Sequence, residues 1–292
     1  MLTLEALRFQ EGDYALSADF SLAAGRRVAI IGPSGAGKST LLDLIAGFRK
    51  PGEGRVLWQG QDITDEPPDR RPVAMLFQEN NLFPHLDLRR NLGLALRPDG
   101  RRVTPAEADA VDRALERVGL DGMGARKPGA LSGGQQSRAS LARVLLQKRP
   151  VIALDEPFAA LGPALKDEML ALVREVSGEL GALVLLVSHD PQDARRFADE
   201  TVLVAEGIAE GVFDVIDIDM TVDLLQHAWR MRWVVLAQAR RRCARGDPEG
   251  GRAMLEERLR LEELMTNRLL GCRETAVRMP ASGEFSDFLN SA

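Results

Sequence analysis

One glycine-rich segment, residues 32–40, has the residue types and spacing of a phosphate-binding loop. It fits the pattern G-x-x-x-x-G-K-[ST] and lies between a predicted buried strand, residues 27–31, and a predicted apolar helix, residues 41–48. Glycines let such a loop wrap so that its backbone N–H groups point at phosphates. Lys38 then supplies a positive charge for the β- and γ-phosphates, and the Ser39 hydroxyl can ligate Mg²⁺. The pattern therefore predicts a site for the phosphates of a nucleotide.

Two carboxylates, Asp155 and Glu156, follow a second predicted buried strand at residues 151–154. Beside the phosphate loop, Asp155 would hold Mg²⁺ through water and Glu156 would polarise an attacking water molecule. On its own, an apolar run that ends in Asp-Glu is usually a strand leaving the core. The prediction of a catalytic pair therefore depends on the phosphate loop.

A second turn of small residues, 131–135 with the sequence Leu-Ser-Gly-Gly-Gln, leads into a predicted helix, which spans about residues 132–147. Its backbone N–H groups are exposed at a helix N-terminus, where anions bind. A single chain with one phosphate loop has no obvious use for a second phosphate-binding turn, whereas a dimer does. This turn is therefore the feature that decides the family.

In this order, the motifs of residues 1–210 resemble the nucleotide-binding subunits of ABC transporters. Residues 131–135 match the LSGGQ signature of that family, which closes over the nucleotide held by the other subunit. The resemblance implies that Gln78 senses Mg²⁺ and the attacking water and couples them to a transmembrane partner. It also implies that His189 contacts the γ-phosphate and that Tyr14 stacks on adenine. Outside that pattern, Gln78 would be a surface residue, His189 a structural one and Tyr14 the end of a strand.

The predicted site uses ATP as its ligand and Mg²⁺ as its cofactor, and its residues fall into three groups. The catalytic residues are Glu156, His189 and Gln78, and the Mg²⁺ ligands are Ser39, Gln78 and Asp155. The nucleotide-binding residues are Tyr14, Gly32, Pro33, Ser34, Gly35, Ala36, Gly37, Lys38, Ser39, Thr40, Ser132, Gly133, Gly134 and Gln135.

One position departs from the family pattern. After residues 156–161 the family usually has an aspartate, which links the two nucleotide sites across the dimer, and Gly162 occupies that position here. We expect weaker communication between subunits, while nucleotide binding and hydrolysis are retained.

The predicted elements alternate between strands and helices, which favours a βα architecture with parallel strands. The resemblance implies an α/β fold, a P-loop NTPase of the ABC cassette type. Such a cassette has a mixed, mainly parallel sheet core, an antiparallel β subdomain and a helical subdomain, here at about residues 79–150. The predicted strands are residues 2–9, 16–22, 27–31, 55–58, 151–154 and 182–187, and the predicted helices are residues 41–48, 105–118, 132–147 and 163–178.

Composition excludes several classes of protein. The chain has 292 residues, of which 45% are hydrophobic, and its net charge of −5 gives no reason to expect a nucleic acid partner. Two cysteines form neither a disulfide scaffold nor a zinc ribbon. No apolar run approaches the roughly 18 residues of a membrane span, and no secretory signal is evident. Lysine is scarce among the 38 basic residues: Lys38, Lys50, Lys127, Lys148 and Lys166.

The composition changes near residue 206, and the family resemblance ends at about residue 210. We interpret residues 1–210 as a nucleotide-binding domain and residues 220–292 as a C-terminal extension of two helices, about 222–245 and 249–270. The favoured interpretation is a helical hairpin that packs on the cassette or on its own copy in a dimer. Binding of a basic amphipathic helix to a membrane surface and a fusion or misjoined reading frame are the alternatives.

Residues 44–48 and 67–86 most resemble the ATP-binding subunits of bacterial thiamine importers. That resemblance implies three partners: a second copy in an ATP-sandwich dimer, membrane permease subunits and, indirectly, a periplasmic substrate-binding protein. It also implies a peripheral location on the cytoplasmic face of the bacterial inner membrane. Thiamine, or thiamine pyrophosphate, is inferred from resemblance alone. Import of iron, sulfate, molybdate or polyamine, a soluble ATP-gated scaffold and a soluble ABC ATPase unconnected to transport are the alternatives.

Overall fold

Strands and helices alternate along the chain, as the sequence predicts. The structure is a computed structural model, and every described residue lies in one unit, Met1–Ile218. The predicted helical hairpin at residues 222–245 and 249–270 lies outside the described residues, as do Gln78 and His189. The described residues are 1–12, 14–77, 82–158, 161–188, 191–205 and 207–214.

The strands of the described residues pair into a single mixed sheet. In chain order they are β1 (Leu2–Glu11), β2 (Tyr14–Leu22), β3 (Arg27–Ile31), β4 (Glu53–Trp58), β5 (Gln61–Asp62), β6 (Val73–Leu76), β7 (Val151–Asp155), β8 (Leu183–Val187), β9 (Glu200–Ala205) and β10 (Ile208–Asp214). Their order across the sheet is β5-β4-β1-β2-β10-β9-β3-β8-β7-β6. Neighbours from β9 to β6 are parallel, whereas β9 with β10, β2 with β1, β1 with β4 and β4 with β5 are antiparallel.

The parallel half of the sheet is apolar because it is covered on both faces. Every residue of β7 and β8 is buried, as expected for strands between two layers of helices. Carboxyl ends of parallel strands meet at one edge of a sheet. Ile30 in β3 and Asp155 in β7 both pair with Val187 at the end of β8. The segments that follow these three strands therefore leave the sheet side by side.

Helices occupy the segments between the parallel strands. In the described residues they are α1 (Lys38–Ala46), α2 (Leu88–Gly93), α3 (Pro105–Arg117), α4 (Gly133–Leu146), α5 (Pro163–Leu180) and α6 (Pro191–Phe197), with a short 3-10 helix at Pro128–Ala130. A capping box between Thr104 and Glu107, with Pro105 at the first helical position, starts α3. The first helix begins at Lys38, three residues earlier than predicted, because the phosphate loop itself turns into the helix.

Buried apolar residues form separate clusters on the two faces of the sheet and between the helices. Leu42 of α1 packs on one face and Val173 of α5 on the other. Leu92, Leu115 and Ala142 join α2, α3 and α4 in a third cluster, which forms the helical subdomain. No helix in the described part of the chain has the length and apolar character needed to cross a bilayer.

Candidate nucleotide site

Two features of residues 32–37 require glycine. Neighbouring atoms come too close to leave room for a side chain, and the backbone adopts positive φ angles. A Cβ at Gly32 would stand 2.0 Å from the backbone oxygen of Val204 in β9. Gly35 and Gly37 have φ of 78° and 107°, which residues with a side chain rarely adopt. A Cβ at Gly37 would also stand 1.9 Å from the Tyr14 hydroxyl oxygen. The loop therefore has no room for side chains at Gly32 and Gly37.

The Lys38 side chain is folded back onto this loop. Its Nζ donates hydrogen bonds to the carbonyl oxygens of Gly32, at 3.0 Å, and Pro33, at 2.9 Å. The residue is only 6% exposed. Burial lowers the pKa of the Lys38 ammonium, and the nearby carboxylates of Glu156 and Asp155 act against that shift. The loop thus holds a poorly solvated cation, ready to pair with an anion.

Ser39 and Asp155, the two described residues predicted to ligate Mg²⁺, are joined by a hydrogen bond. The Ser39 hydroxyl donates to Asp155 Oδ1 at 3.0 Å, which joins the first turn of α1 to the end of β7. Burial raises the pKa of the Asp155 carboxyl, whereas the bond from Ser39 lowers it. Hydroxyl and carboxylate oxygens are the ligands that Mg²⁺ prefers. The Ser39 hydroxyl oxygen and the Asp155 carboxylate are therefore suitable ligands for Mg²⁺.

Glu156 leaves β7 with an unusual backbone conformation. Its φ of 43° lies in the left-handed region, and its N–H donates to the Val187 oxygen of the neighbouring strand at 3.2 Å. Non-glycine residues in that region cost free energy and cluster at functional sites. Glu156 also lines a small cavity together with Ser188. The structure therefore places it at the same sheet edge as Ser39 and Asp155.

The signature turn at residues 131–135 is separate from the phosphate loop. Ser132 accepts a hydrogen bond from the Gln135 N–H, and Gln135 Oε1 accepts one from the Ser132 N–H, so the two form a capping box at the start of α4. Gly134 packs against α5, where a Cβ would stand 2.9 Å from Leu165 Cδ2. Within the described residues, no hydrogen bond joins this turn to residues 32–40.

Tyr14 is the first residue of β2 and reaches the phosphate loop. Its hydroxyl oxygen is buried, and the nearby Thr40 hydroxyl does not meet it with regular hydrogen-bond geometry. Burial raises the pKa of the Tyr14 phenol, and the Thr40 hydroxyl acts against that rise. Its position next to Gly37 is compatible with a contact to a bound nucleotide, and stacking on adenine stays a prediction.

Arg71 is a buried residue of this region to which the sequence analysis gives no role. It is 1% exposed, and its guanidinium donates to the Leu44 and Ile45 oxygens at the end of α1, at 2.7 and 2.9 Å. Two further bonds reach the Glu66 and Thr64 oxygens. Arg71 therefore ties the helix after the phosphate loop to the segment before β6. Its neighbour Arg70 is exposed, so nothing in the local sequence distinguishes the buried arginine.

Comparison with known proteins assigns the chain to a family. The ABC transporter family matches residues 16–159. Over 210 residues the chain is 60% identical to the thiamine import ATP-binding protein ThiQ of Cereibacter sphaeroides, a match that covers 72% of this chain and 90% of that protein. The chain belongs to the ABC transporter family.

Further relatives and solved structures agree with this ABC assignment. The thiamine import ATP-binding protein ThiQ of a Ruegeria species is 58% identical over 207 residues, covering 71% of this chain and 89% of that protein. A dimeric, post-hydrolysis structure of the ATP-binding cassette MJ0796 bound to ADP and Pi matches with a TM-score of 0.66 at 27% identity. That match covers 74% of this chain and 99% of the MJ0796 chain. The predicted ABC cassette fold is confirmed for the described residues.

Proposed function

We propose that this ABC protein is the ATP-hydrolysing subunit of a bacterial importer for thiamine. The observation that carries the reaction is the single sheet edge that holds Lys38, the Ser39–Asp155 pair and Glu156. The observation that carries the substrate is the 60% identity to a thiamine import ATP-binding protein. Thiamine pyrophosphate belongs to the same proposal, because the described residues do not distinguish the two.

The residues at this edge divide the work of hydrolysis. The loop N–H groups and Lys38 would bind the β- and γ-phosphates, and Ser39, Gln78 and, through water, Asp155 would hold Mg²⁺. Bound Mg²⁺ supplies positive charge that offsets the charge on the phosphate oxygens. Glu156 accepts a proton from water while the water oxygen bonds to the γ-phosphorus. The bond from that phosphorus to the bridging oxygen breaks, which releases ADP and phosphate.

The second phosphate-binding turn requires a second copy of the chain. In the proposed dimer, each ATP lies between the loop of one protomer and the Ser132–Gln135 turn of the other. The γ-phosphate then joins both protomers, and its loss on hydrolysis lets the dimer open. The dimeric MJ0796 cassette bound to ADP and Pi supports this arrangement.

The remaining proposals concern partners and location. Residues 82–86 would dock on membrane permease subunits, and the Gln78 region would transmit closure of the dimer to them. A periplasmic binding protein would deliver the transported molecule to that permease. The protein itself would lie peripherally on the cytoplasmic face of the inner membrane. No nucleic acid partner is proposed.

The proposal is tested by ATPase assays on the chain purified with the permease encoded beside its gene. We expect binding protein loaded with thiamine to raise turnover, and Glu156→Gln to abolish both the basal and the stimulated rate. The same assay with thiamine pyrophosphate, iron, sulfate, molybdate or polyamine identifies another substrate.

Two results would contradict parts of the proposal. A permease complex that hydrolyses ATP but does not respond to thiamine or thiamine pyrophosphate would remove the substrate and retain the importer. ATP-driven dimerisation with turnover equal to that of Glu156→Gln would indicate an ATP-gated scaffold, the alternative that Gly162 motivates.

A further inference from the structure

A partly buried ion pair lies beside Glu156 and outside the sequence motifs. Lys166 Nζ stands 2.6 Å from Asp193 Oδ1, and the Asp193 side chain is only 8% exposed. The buried Ser188 hydroxyl donates to the other carboxylate oxygen, Asp193 Oδ2, at 2.5 Å. Each oxygen of Asp193 therefore has its own partner, one from α5 and one from the end of β8.

The position of Lys166 is unfavourable for its own helix. It lies in the first turn of α5, where its N–H donates to the Gly162 oxygen at 3.0 Å. A helix N-terminus carries partial positive charge and disfavours a cation. The Lys166 side chain is also only 19% exposed, and the cost of partly desolvating its ammonium is offset by a well-placed anion. The contact with Asp193, rather than helix stability, therefore accounts for a lysine at this position.

The same ion pair is close to the proposed catalytic carboxylate. Glu156, Lys166, Ser188 and Asp193 line one small cavity, and apolar side chains form most of the rest of its wall. Asp193 and Ser188 are buried, so solvent weakens their interactions less than at the surface, which favours a fixed geometry. The next residue in the chain is His189, which the family resemblance implies contacts the γ-phosphate.

The first turn of α5 also contacts the signature turn. Gly134 lies so close to Leu165 that a Cβ there would stand 2.9 Å from Leu165 Cδ2. The first turn of α5 thus contacts the signature turn, which in the proposed dimer binds the nucleotide of the other protomer. Through Lys166 and Asp193 it also contacts Ser188, at the sheet edge that would bind the nucleotide of its own protomer.

We propose that Lys166 is a positioning residue for hydrolysis. Through Asp193 it fixes Ser188, at the end of β8, relative to Glu156. It acts through these side chains rather than on the nucleotide. The proposal rests on the ATPase function proposed above, since it concerns the hydrolysis step of that site.

The test measures kcat and the KM for MgATP of the full chain. Lys166→Met keeps most of the aliphatic stem and removes the charge. We expect it to lower kcat at least tenfold and to leave KM within twofold, because phosphate binding depends on a different loop. Lys166→Arg restores the charge and should recover at least half of the wild-type turnover. Lys50→Met is the matched control, because Lys50 forms an exposed ion pair with Asp65 and should retain wild-type kinetics.

A double variant tests whether the two charges act as one unit. Asp193→Asn alone removes the carboxylate charge that Lys166 contacts, and Lys166→Met alone removes the ammonium that Asp193 contacts. We expect the double variant to lose no more turnover than the worse single variant. Ser188→Ala removes only the hydroxyl and gives a second measurement of kcat if a charge variant does not fold.

Each remaining outcome decides against the proposal. Wild-type kcat in Lys166→Met would overturn it, as would equal losses of kcat, ATP affinity and thermal stability without rescue by Lys166→Arg. The latter pattern would show a structural role alone. Wild-type turnover equal to that of Glu156→Gln would instead overturn the ATPase function on which the proposal rests.

Discussion

The phosphate loop and the signature turn both present backbone N–H groups at a helix N-terminus, and they differ in what surrounds them. The loop is enclosed by Val204 and Tyr14, and it has a buried cation in Lys38 and a buried carboxylate in Asp155. The signature turn is exposed at Ser132, whose side chain is satisfied within its own capping box.

This difference shows how far one protomer can complete a nucleotide site. The loop has the cation, the metal ligands and the steric fit that bind a triphosphate. The signature turn offers N–H groups and a hydroxyl but has no buried charge of its own, so it depends on a ligand held elsewhere. We therefore expect substitutions in the loop to abolish binding and substitutions in the signature turn to affect later steps.

The largest effect should come from Gly32→Ala in the loop. The new Cβ would stand 2.0 Å from the Val204 backbone oxygen, and backbone cannot give way as a flexible side chain does. We expect ATP affinity to fall at least 100-fold, measured by titration with a fluorescent ATP analogue. Overpacking of this kind costs about 1–3 kcal/mol of stability.

The matched glycine control for that experiment is Gly178→Ala. Gly178 is exposed in α5 and has open space around its Cβ position. Alanine there should raise stability by about 0.5–1 kcal/mol and leave ATP affinity unchanged. Wild-type ATP affinity in Gly32→Ala would show that the loop tolerates a side chain and that its fit to β9 is not required.

A smaller effect should follow Ser132→Ala in the signature turn. The substitution removes the N-cap of α4, which costs about 1 kcal/mol. We expect turnover to fall about tenfold, while the isolated protomer binds ATP as the wild type does. Ser39→Ala is the corresponding change in the loop and should weaken Mg²⁺-dependent binding itself. Loss of ATP affinity in isolated Ser132→Ala protomers would contradict the separation of the two regions.

The buried carboxylate of Asp155, at the end of β7 beside the phosphate loop, gives a pH-dependent prediction. Burial raises the native pKa of Asp155 above its ordinary value of 3.8, so the folded state keeps this proton to higher pH than the unfolded state does. The contribution of Asp155 to stability is therefore present in acid and is lost as pH rises through the native pKa. Without ligand at pH 8, Asp155→Asn should unfold at a temperature a few degrees above that of the wild type. This difference in midpoint should narrow toward pH 4.

Addition of Mg²⁺ and ATP should give the wild type a higher unfolding midpoint than Asp155→Asn. The wild-type carboxylate can ligate Mg²⁺ and the amide is a weaker ligand, so ligand should raise the wild-type midpoint more. A gap between the two unliganded proteins that does not change with pH would show that Asp155 ionisation is not responsible.

Short-range patterns made the phosphate loop predictable. Residues 32–40 combine a motif, a strand before it and a helix after it within one continuous segment, and the structure confirms that local order. The proximity of Asp155 to Ser39 was predictable only by combining two motifs, because 116 residues separate them. The fold as a whole was predictable on the same ground.

Contacts between distant segments without a motif were not predictable. β9 and β10 carry no strong alternation, so the sequence did not show that Val204 would restrict Gly32. Asp193 was overlooked because one acidic residue in a short helix is common. Lys166 carried one weak signal, the scarcity of lysine, and only the structure supplies its partner. Each of these overlooked residues contacts another strand or helix. The spacing of residues within one segment does not reveal such a contact.

The smallest effect should come from Gly162→Asp, at the start of the helix that lies between the two regions. Gly162 is the N-cap of α5 with φ −67° and ψ 157°, a conformation that suits aspartate, and space for a side chain is open. A carboxylate there can accept a bond from the first turn and favours the helix dipole, a gain of a few tenths of a kcal/mol over glycine. Thermal denaturation should show a midpoint about 1 °C higher, with Gly162→Asn isolating the cap from the charge.

The family pattern implies more than a cap at this position, so turnover should become more cooperative in ATP for aspartate but not for asparagine. Equal kinetics in the two variants would show that this protein couples its two regions without that carboxylate.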